Sequence, residues 1–134
     1  MTSFDVTTHV RTELVDITSK VQDAVARSGV SSGICFVSVP HTTAAVTVNE
    51  HHDPDVASDI TMTLSKLVPH HAGYAHAEYN SDAHIKSVLV GCCQPIPVED
   101  GRLALGQWQG VFLCEFDGPR TRRCQVQVIK AGTD

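Results

Sequence analysis

The apolar residues of this chain come in short runs, and turn-forming residues close almost every run. Ile34 to Val39 is a compact apolar run closed by Pro40, and it reads as a buried strand. After His41-Thr42-Thr43, Ala44 to Asn49 resumes as a strand with Val46 and Val48 on one face. Cys92 to Val98 is extended, and Glu99-Asp100-Gly101 supplies a turn with glycine where positive φ is wanted. Leu103 and Leu105 return as a strand. Gly106 to Gly110 then leads into Val111 to Phe116, a further strand, and Asp117-Gly118-Pro119 turns the chain. Cys124, Val126 and Val128 alternate along a last strand, while Phe4 to Ile17 reads as two short strands or one bent one. About seven strands joined mostly by hairpins predict an antiparallel sheet.

Three segments carry helical periodicity. Thr18 or Ser19 caps a helix with Val21, Ala24 and Val25 on one face, ended by Gly29. Asp53-Pro54 places a capping carboxylate before proline at the first helical position, and Val56, Ile60, Leu64 and Leu67 predict an inward face, with Pro69 marking the end. His70 to Ser81 has no periodicity and reads as a surface loop. Ser81 or Asp82 then caps a short helix whose Ile85, Val88 and Leu89 share a face, stopped by Gly91. The fold class expected is α+β, an antiparallel sandwich-like sheet with two or three helices in one domain spanning 1–134.

At 134 residues the chain can build its own core but is short for enclosing a substrate alone, so a pocket shared with a second subunit is expected. A formal net charge of −5, with no basic run beyond Arg122-Arg123, argues against nucleic acid as a partner. No apolar stretch approaches the roughly 18–20 residues that span a bilayer, so no membrane is expected, and Met1 to Val10 lacks the apolar core of a secretory signal. The five cysteines are odd in number and not spaced as CxxC pairs, which fits reduced thiols in a cytoplasm.

Eight histidines are the anomaly, six of them between His51 and His84. Imidazole is both a metal ligand and a group that titrates near neutral pH, so the cluster points to a metal or an acid–base site. His41, at the strand break after Pro40, together with His76 and His84 could supply three nitrogen ligands to a divalent metal such as zinc or magnesium, leaving a fourth position for water. His84 pairs naturally with Asp82 or Glu50, since a carboxylate orients an imidazole and raises its basicity. Glu50 is also a candidate general base, Trp108 a stacking wall for a planar ring, and Lys86 and Arg120 candidates to neutralise a phosphate.

The chain resembles the YjbQ-like family (UPF0047), whose members are also described as secondary thiamine-phosphate synthases. The matching residues are His41-Thr42-Thr43-Ala44, Asn49-Glu50, Asp53-Pro54-Asp55-Val56 with Asp59, and Ala83-His84-Ile85-Lys86. Ile96-Pro97-Val98, Gly101 to Gly106 and Trp108-Gln109-Gly110 complete the set. The chain departs from the family pattern at Cys92-Cys93, where Ser-Ser is usual, at Gln107, where threonine is usual, and at His51, commonly asparagine. The resemblance implies a homotrimer that joins a pyrimidine methyl diphosphate to a thiazole phosphate. His84, Glu50 and Asp82 would then be catalytic, and Trp108, Lys86, Asn80 and Gln109 would bind a small phosphorylated metabolite. The other function classes open at this stage are a metal-dependent hydrolase and a non-catalytic trimeric binder of a small anionic metabolite.

Overall fold

A computed structural model describes residues 1–132. The strands are β1 (Thr2–Thr7), β2 (Glu13–Asp16), β3 (Gly33–Ser38), β4 (Ala44–Glu50), β5 (Cys93–Glu99), β6 (Arg102–Leu103), β7 (Gln109–Glu115) and β8 (Thr121–Lys130). The helices are α1 (Thr18–Ser28), α2 (Pro54–Leu67) and α3 (Ser81–Val90). Every strand pairing is antiparallel, in a five-stranded sheet ordered β1-β8-β3-β5-β6 and a three-stranded sheet ordered β2-β7-β4. The fold is therefore α+β, as expected, with the 4–17 segment split into two strands that join different sheets.

The main core lies between the sheets. Val6, Cys35, Val37, Ile96, Val98 and Val126 meet Val46, Val111 and Leu113 there, and α1 adds Val21, Ala24 and Val25. A second cluster on the other face of the small sheet joins Ala45, Cys114 and Phe116 to Ala83 of α3, with Leu64 of α2 packed against it. β7 is thus covered on both faces, which explains an apolar run without alternation. β3 alternates instead: Cys35 and Val37 point inward, while Ile34 is 45% exposed. Asp100 (φ 51°) and Gly101 (φ 73°) close the β5–β6 hairpin, as two left-handed turn residues should.

Several local expectations are corrected. Neither Thr18 nor Ser19 caps α1; Asp16 performs that task by accepting the Thr18 N–H at 2.9 Å. Asp53 does cap α2, accepting the Asp55 N–H at 2.9 Å, but no residue of that helix is fully buried and Leu67 is 70% exposed. In α3 the cap position is Asn80, and the helix is turned the other way round. Asp82, Ala83, Lys86 and Ser87 are buried, whereas Ile85, Val88 and Leu89 are 38%, 83% and 63% exposed. Asp82 accepts two hydrogen bonds from Arg11, at 3.0 and 3.1 Å, and lies 3.7 Å from the Lys86 ammonium. Lys86 also reaches the Ser65 hydroxyl on α2 at 3.3 Å. Burying the apolar face instead would turn Asp82 and Lys86 out to solvent and separate them from Arg11; in this fold the paired charges are the buried face.

A second buried ion pair ties β7 to β8. Glu115 Oε1 accepts from Arg122 Nε at 3.0 Å and from the Thr8 hydroxyl at 2.8 Å, and Oε2 accepts the Phe116 and Asp117 N–H groups. Arg122 Nη2 continues to the Thr43 carbonyl and hydroxyl, at 3.1 and 2.9 Å. Gly118 permits this approach, since a Cβ there would lie 2.8 Å from Glu115 Cγ.

Removing one partner of such a pair strands a buried charge. Glu115→Ala is expected to cost about 3–5 kcal/mol, whereas replacing both residues, as E115L with R122M, restores at least half of that loss. Urea midpoints at unchanged slope read both values. Equal losses in the single and double variants would show that the charges are not coupled.

Candidate functional site

The turn between β3 and β4 places His41 beside β8, where its Nε2 accepts the backbone N–H of Arg123 at 2.9 Å. That bond settles the tautomer of the neutral ring, because a nitrogen that accepts carries no proton and Nδ1 becomes the donor. Burial, then the neighbouring Arg122 charge, hold the His41 pKa below the ordinary histidine range. At neutral pH His41 is therefore an uncharged hydrogen-bond donor.

His41 lines a cavity of about 420 Å³ together with His84, the fourth residue of α3, and Thr42, Ser87, Val88, Gly91 and Cys92 complete the lining. The Ser87 hydroxyl is buried and has no hydrogen-bond partner, a polar group whose desolvation is left uncompensated within the chain. His84 also lines a neighbouring cavity of about 390 Å³ with Tyr74, His76 and Ser81, and the His76 and His84 rings meet edge to face at 5.6 Å. His84 thus stands on a ridge between two hollows. The exposed side chains of Ile85, Val88 and Leu89 share that surface.

The other predicted residues lie elsewhere. Asp82 and Lys86 form a buried ion pair with Arg11 rather than facing the cavity. Burial would raise the Asp82 carboxyl, but the Arg11 hydrogen bonds and charge outweigh it and hold the group below the usual carboxylate range. Burial lowers the Lys86 ammonium more than Asp82 raises it. Both side chains are buried and line none of the cavities beside His84, and Asp82 does not hydrogen-bond to His84. Asn80 donates to Asp117 at 2.9 Å, fastening α3 to the β7–β8 turn, and Arg120 pairs with the same carboxylate at 3.1 Å.

Glu50, Trp108 and Gln109 sit at the far end of β4. Glu50 is paired with Gln109 in the ladder, and β4 has seven residues, which at about 3.3 Å each sets that end about 20 Å from His41. Glu50 accepts the Asp53 N–H at 3.3 Å, and Gln109 Oε1 accepts the Gly106 N–H at 2.8 Å. Trp108 is 55% exposed and meets the His52 ring edge to face at 5.2 Å. One chain therefore does not unite Glu50 or Trp108 with His84.

Nor do the three histidines converge. Among the described residues no group of three His, Cys, Asp or Glu side chains is arranged to hold a metal ion, and the Nε2 lone pair of His41 is committed to Arg123. The side chains of one chain do not fit the divalent-metal set expected for His41, His76 and His84. Of the thiols, burial pushes Cys35 up to about 11 and Cys114 and Cys124 up to about 12, leaving Cys92 and Cys93 exposed, with Cys92 at the cavity wall.

Sequence reasoning missed Ser87, Arg11 and the Glu115–Arg122 pair. One signal was present: Arg122 shares the parity of the inward-facing Cys124 and Val126 on β8.

A two-sheet α+β domain with an imidazole-walled surface cavity defines the class of protein. The chain matches the family profile described as "UPF0047 protein YjbQ-like" over residues 2–131, and it belongs to that family. It is 51% identical over 126 residues to a UPF0047 protein of Methanocaldococcus jannaschii, covering 94% of this chain and 91% of that protein. It is 43% identical over 128 residues to the UPF0047 protein YugU of Bacillus subtilis, covering 95% and 97%. Its fold superposes with a TM-score of 0.95 on the crystal structure of a YjbQ/UPF0047 protein from Clostridium acetobutylicum, at 46% identity and 96% and 100% coverage. For a YbjQ-like protein from Sulfolobus solfataricus the TM-score is 0.93, at 34% identity and 97% and 96% coverage. Among the described residues no helix is long and apolar enough to cross a membrane.

The depressed His41 pKa has a signed consequence. As pH falls below about 6.5, the unfolded chain takes up the imidazole proton before the folded chain does, so stability is lost on the acid side. A ring protonated on both nitrogens also cannot accept the Arg123 N–H. The thermal midpoint of the wild type is expected to fall between pH 7 and pH 5, and His41→Gln should show a smaller fall over the same window. The Asp82 carboxylate contributes its own loss only as pH drops through the carboxylate range, which separates the two effects. Identical pH profiles for wild type and variant would remove His41 as the cause.

Proposed function

We propose that this chain is a homotrimeric cytoplasmic enzyme acting on a small phosphorylated metabolite, with the His41–His84 cavity as its reaction site. The specific reaction proposed is the one the family resemblance implies, the joining of a pyrimidine methyl diphosphate to a thiazole phosphate with release of diphosphate. The observation that carries the site is a pair of imidazoles lining one cavity together with a buried hydroxyl that has no partner. His41, neutral and donating from Nδ1, suits a developing negative charge on an oxygen. His84, whose ring makes no hydrogen bond to a described residue, is free to move a proton. The exposed Arg123 side chain, next to the His41 contact and without an ion-pair partner among the described residues, is the cation available for a phosphate, in place of Lys86.

The assembly is motivated by two facts about one surface. The cavity is open to solvent, and of the exposed Ile85, Val88 and Leu89 on α3, Val88 lines it and Ile85 lines the neighbouring hollow, an apolar patch of the kind that marks contact surfaces. A neighbouring subunit covering that ridge would close the cavity and, in a cyclic arrangement, could bring in its own Glu50–Trp108 end.

Purified protein given both precursors is expected to form thiamine phosphate, and His84→Ala should lower the rate by at least about tenfold. Equal rates for the two proteins, or none from either, would overturn the reaction. Thermal stabilisation by a phosphorylated compound without turnover would instead identify a binding protein. Light scattering coupled to size exclusion is expected to give about 43 kDa, three times the 14.5 kDa chain. Val88→Asp, at the most exposed position of the ridge, should shift that mass toward the monomer. A monomeric wild type would refute the shared site.

A further inference from the structure

At the other end of β4 a second group of side chains is held in place from several directions. Asp16, the last residue of β2, accepts the Thr18 N–H at 2.9 Å and the Thr18 hydroxyl proton at 2.6 Å on Oδ1. The Thr18 hydroxyl in turn accepts the Val111 N–H of β7 at 2.9 Å. The other carboxylate oxygen, Oδ2, lies 2.9 Å from Nδ1 of His51. His51 is itself fixed by its backbone N–H, which donates to the Trp108 carbonyl at 3.0 Å, and by Gly110. A Cβ at position 110 would come within 2.4 Å of the imidazole, so the glycine is what lets the ring lie against β7.

The chemistry of the pair follows from its donors and acceptors. An ionised carboxylate only accepts, so the bridging proton sits on His51 Nδ1, and in the neutral ring Nε2 keeps a lone pair. Nε2 has no partner among the described residues. Burial would raise the Asp16 carboxyl, but the Thr18 and His51 contacts together hold it below the ordinary carboxylate range.

Both residues border a cavity of about 400 Å³ that is separate from the one at His41. Its remaining walls are Thr18, Ser19, Gln22, Leu103 and Leu105. The Gln22 amide is used up inside the fold, donating to the Gly101 carbonyl at 3.3 Å and accepting the Leu103 N–H at 3.0 Å. The Ser19 hydroxyl has no partner among the described residues. Two leucines supply an apolar part of the wall. Among the described residues no lysine or arginine lines the cavity, while the Asp16 carboxylate contributes a negative charge at its edge.

We propose that the Asp16–His51 pair forms a second ligand site in this chain, one that takes a small uncharged or cationic compound bearing a hydroxyl group. The ligand hydroxyl donates to His51 Nε2, a second oxygen or nitrogen meets Ser19, and the carbon skeleton rests on Leu103 and Leu105. A carboxylate or phosphate ligand is rejected, because it would meet the Asp16 charge with no cation to offset it. The pair is set by contacts within one chain, whatever reaction the His41–His84 cavity performs, and it lies beside the Glu50–Trp108 end that a neighbouring subunit would bring there.

Three probes sharing one carbon skeleton separate these possibilities: propane-1,2-diol, the cationic 1-aminopropan-2-ol, and the anion lactate. With the full-length 15N-labelled chain, long-range proton–nitrogen spectra are expected to show His51 protonated on Nδ1. The diol and the amino alcohol should each move the His51 Nε2 resonance and the Leu103 and Leu105 signals along saturable curves. Lactate should bind at least tenfold more weakly. His51→Gln should abolish saturation in a chain whose other resonances are unchanged, and His84→Ala should leave it intact. Linear, non-saturating shifts for all three probes would overturn the proposal, as would equal binding of lactate or survival of binding in His51→Gln.

Discussion

The buried contact between Arg122 and Glu115 ties four separate segments of this molecule together. It joins the end of β7 to the start of β8, and through Thr43 and Thr8 it reaches the turn before β4 and the end of β1. Charges so deep contribute little net stability over apolar side chains of the same volume. What they supply is direction, since hydrogen bonds define an orientation that dispersion contacts leave free. The candidate cavity lies beside the same strand. The β3–β8 pairing ends at Ser38 and Gln125, and just beyond it the Arg123 N–H, next to the locked Arg122, is the one His41 accepts.

The second ion pair, around Asp82, has a comparable influence through a different route. By burying Asp82 and Lys86 against Arg11, it turns α3 so that its apolar side chains face out. Exposing Ile85, Val88 and Leu89 forfeits about 25 cal/mol for each Å² of apolar surface left in water, which a neighbouring subunit could recover. The same rotation carries His84 to the ridge between two cavities. A helix packed by its apolar face would have put Asp82 and Lys86 outside and His84 on a different wall.

β4 then sets the scale on which the polar residues are distributed. Its two ends carry the two groups, His41 with the α3 ridge at one and Asp16, His51, Glu50 and Trp108 at the other. A single seven-residue strand is too long for one small ligand to touch both. Residues that sit close together in a list of candidates are therefore members of distinct surfaces, unless a second subunit brings opposite ends together.

Local physics made much of the fold legible. The short bounded runs, the Asp100-Gly101 hairpin turn, the α1 stripe of Val21, Ala24 and Val25 and the Asp53-Pro54 helix start all depend on residues within a few positions of one another. Each was readable as a strand, turn, face or cap. The α+β class followed from their order. The site was legible only in part: His41 was placed at a break after proline and His84 on a short helix, and they do share a cavity. What the sequence could not determine were the facing of α3, the burial of Asp82 and Lys86, and the separation of Trp108 from His84. These depend on partners far away in the chain, Arg11 being 71 residues from Asp82 and Thr43 79 from Arg122. A charge buried with a matched partner outweighs the periodicity of its own helix, and only the tertiary structure brings that partner into place.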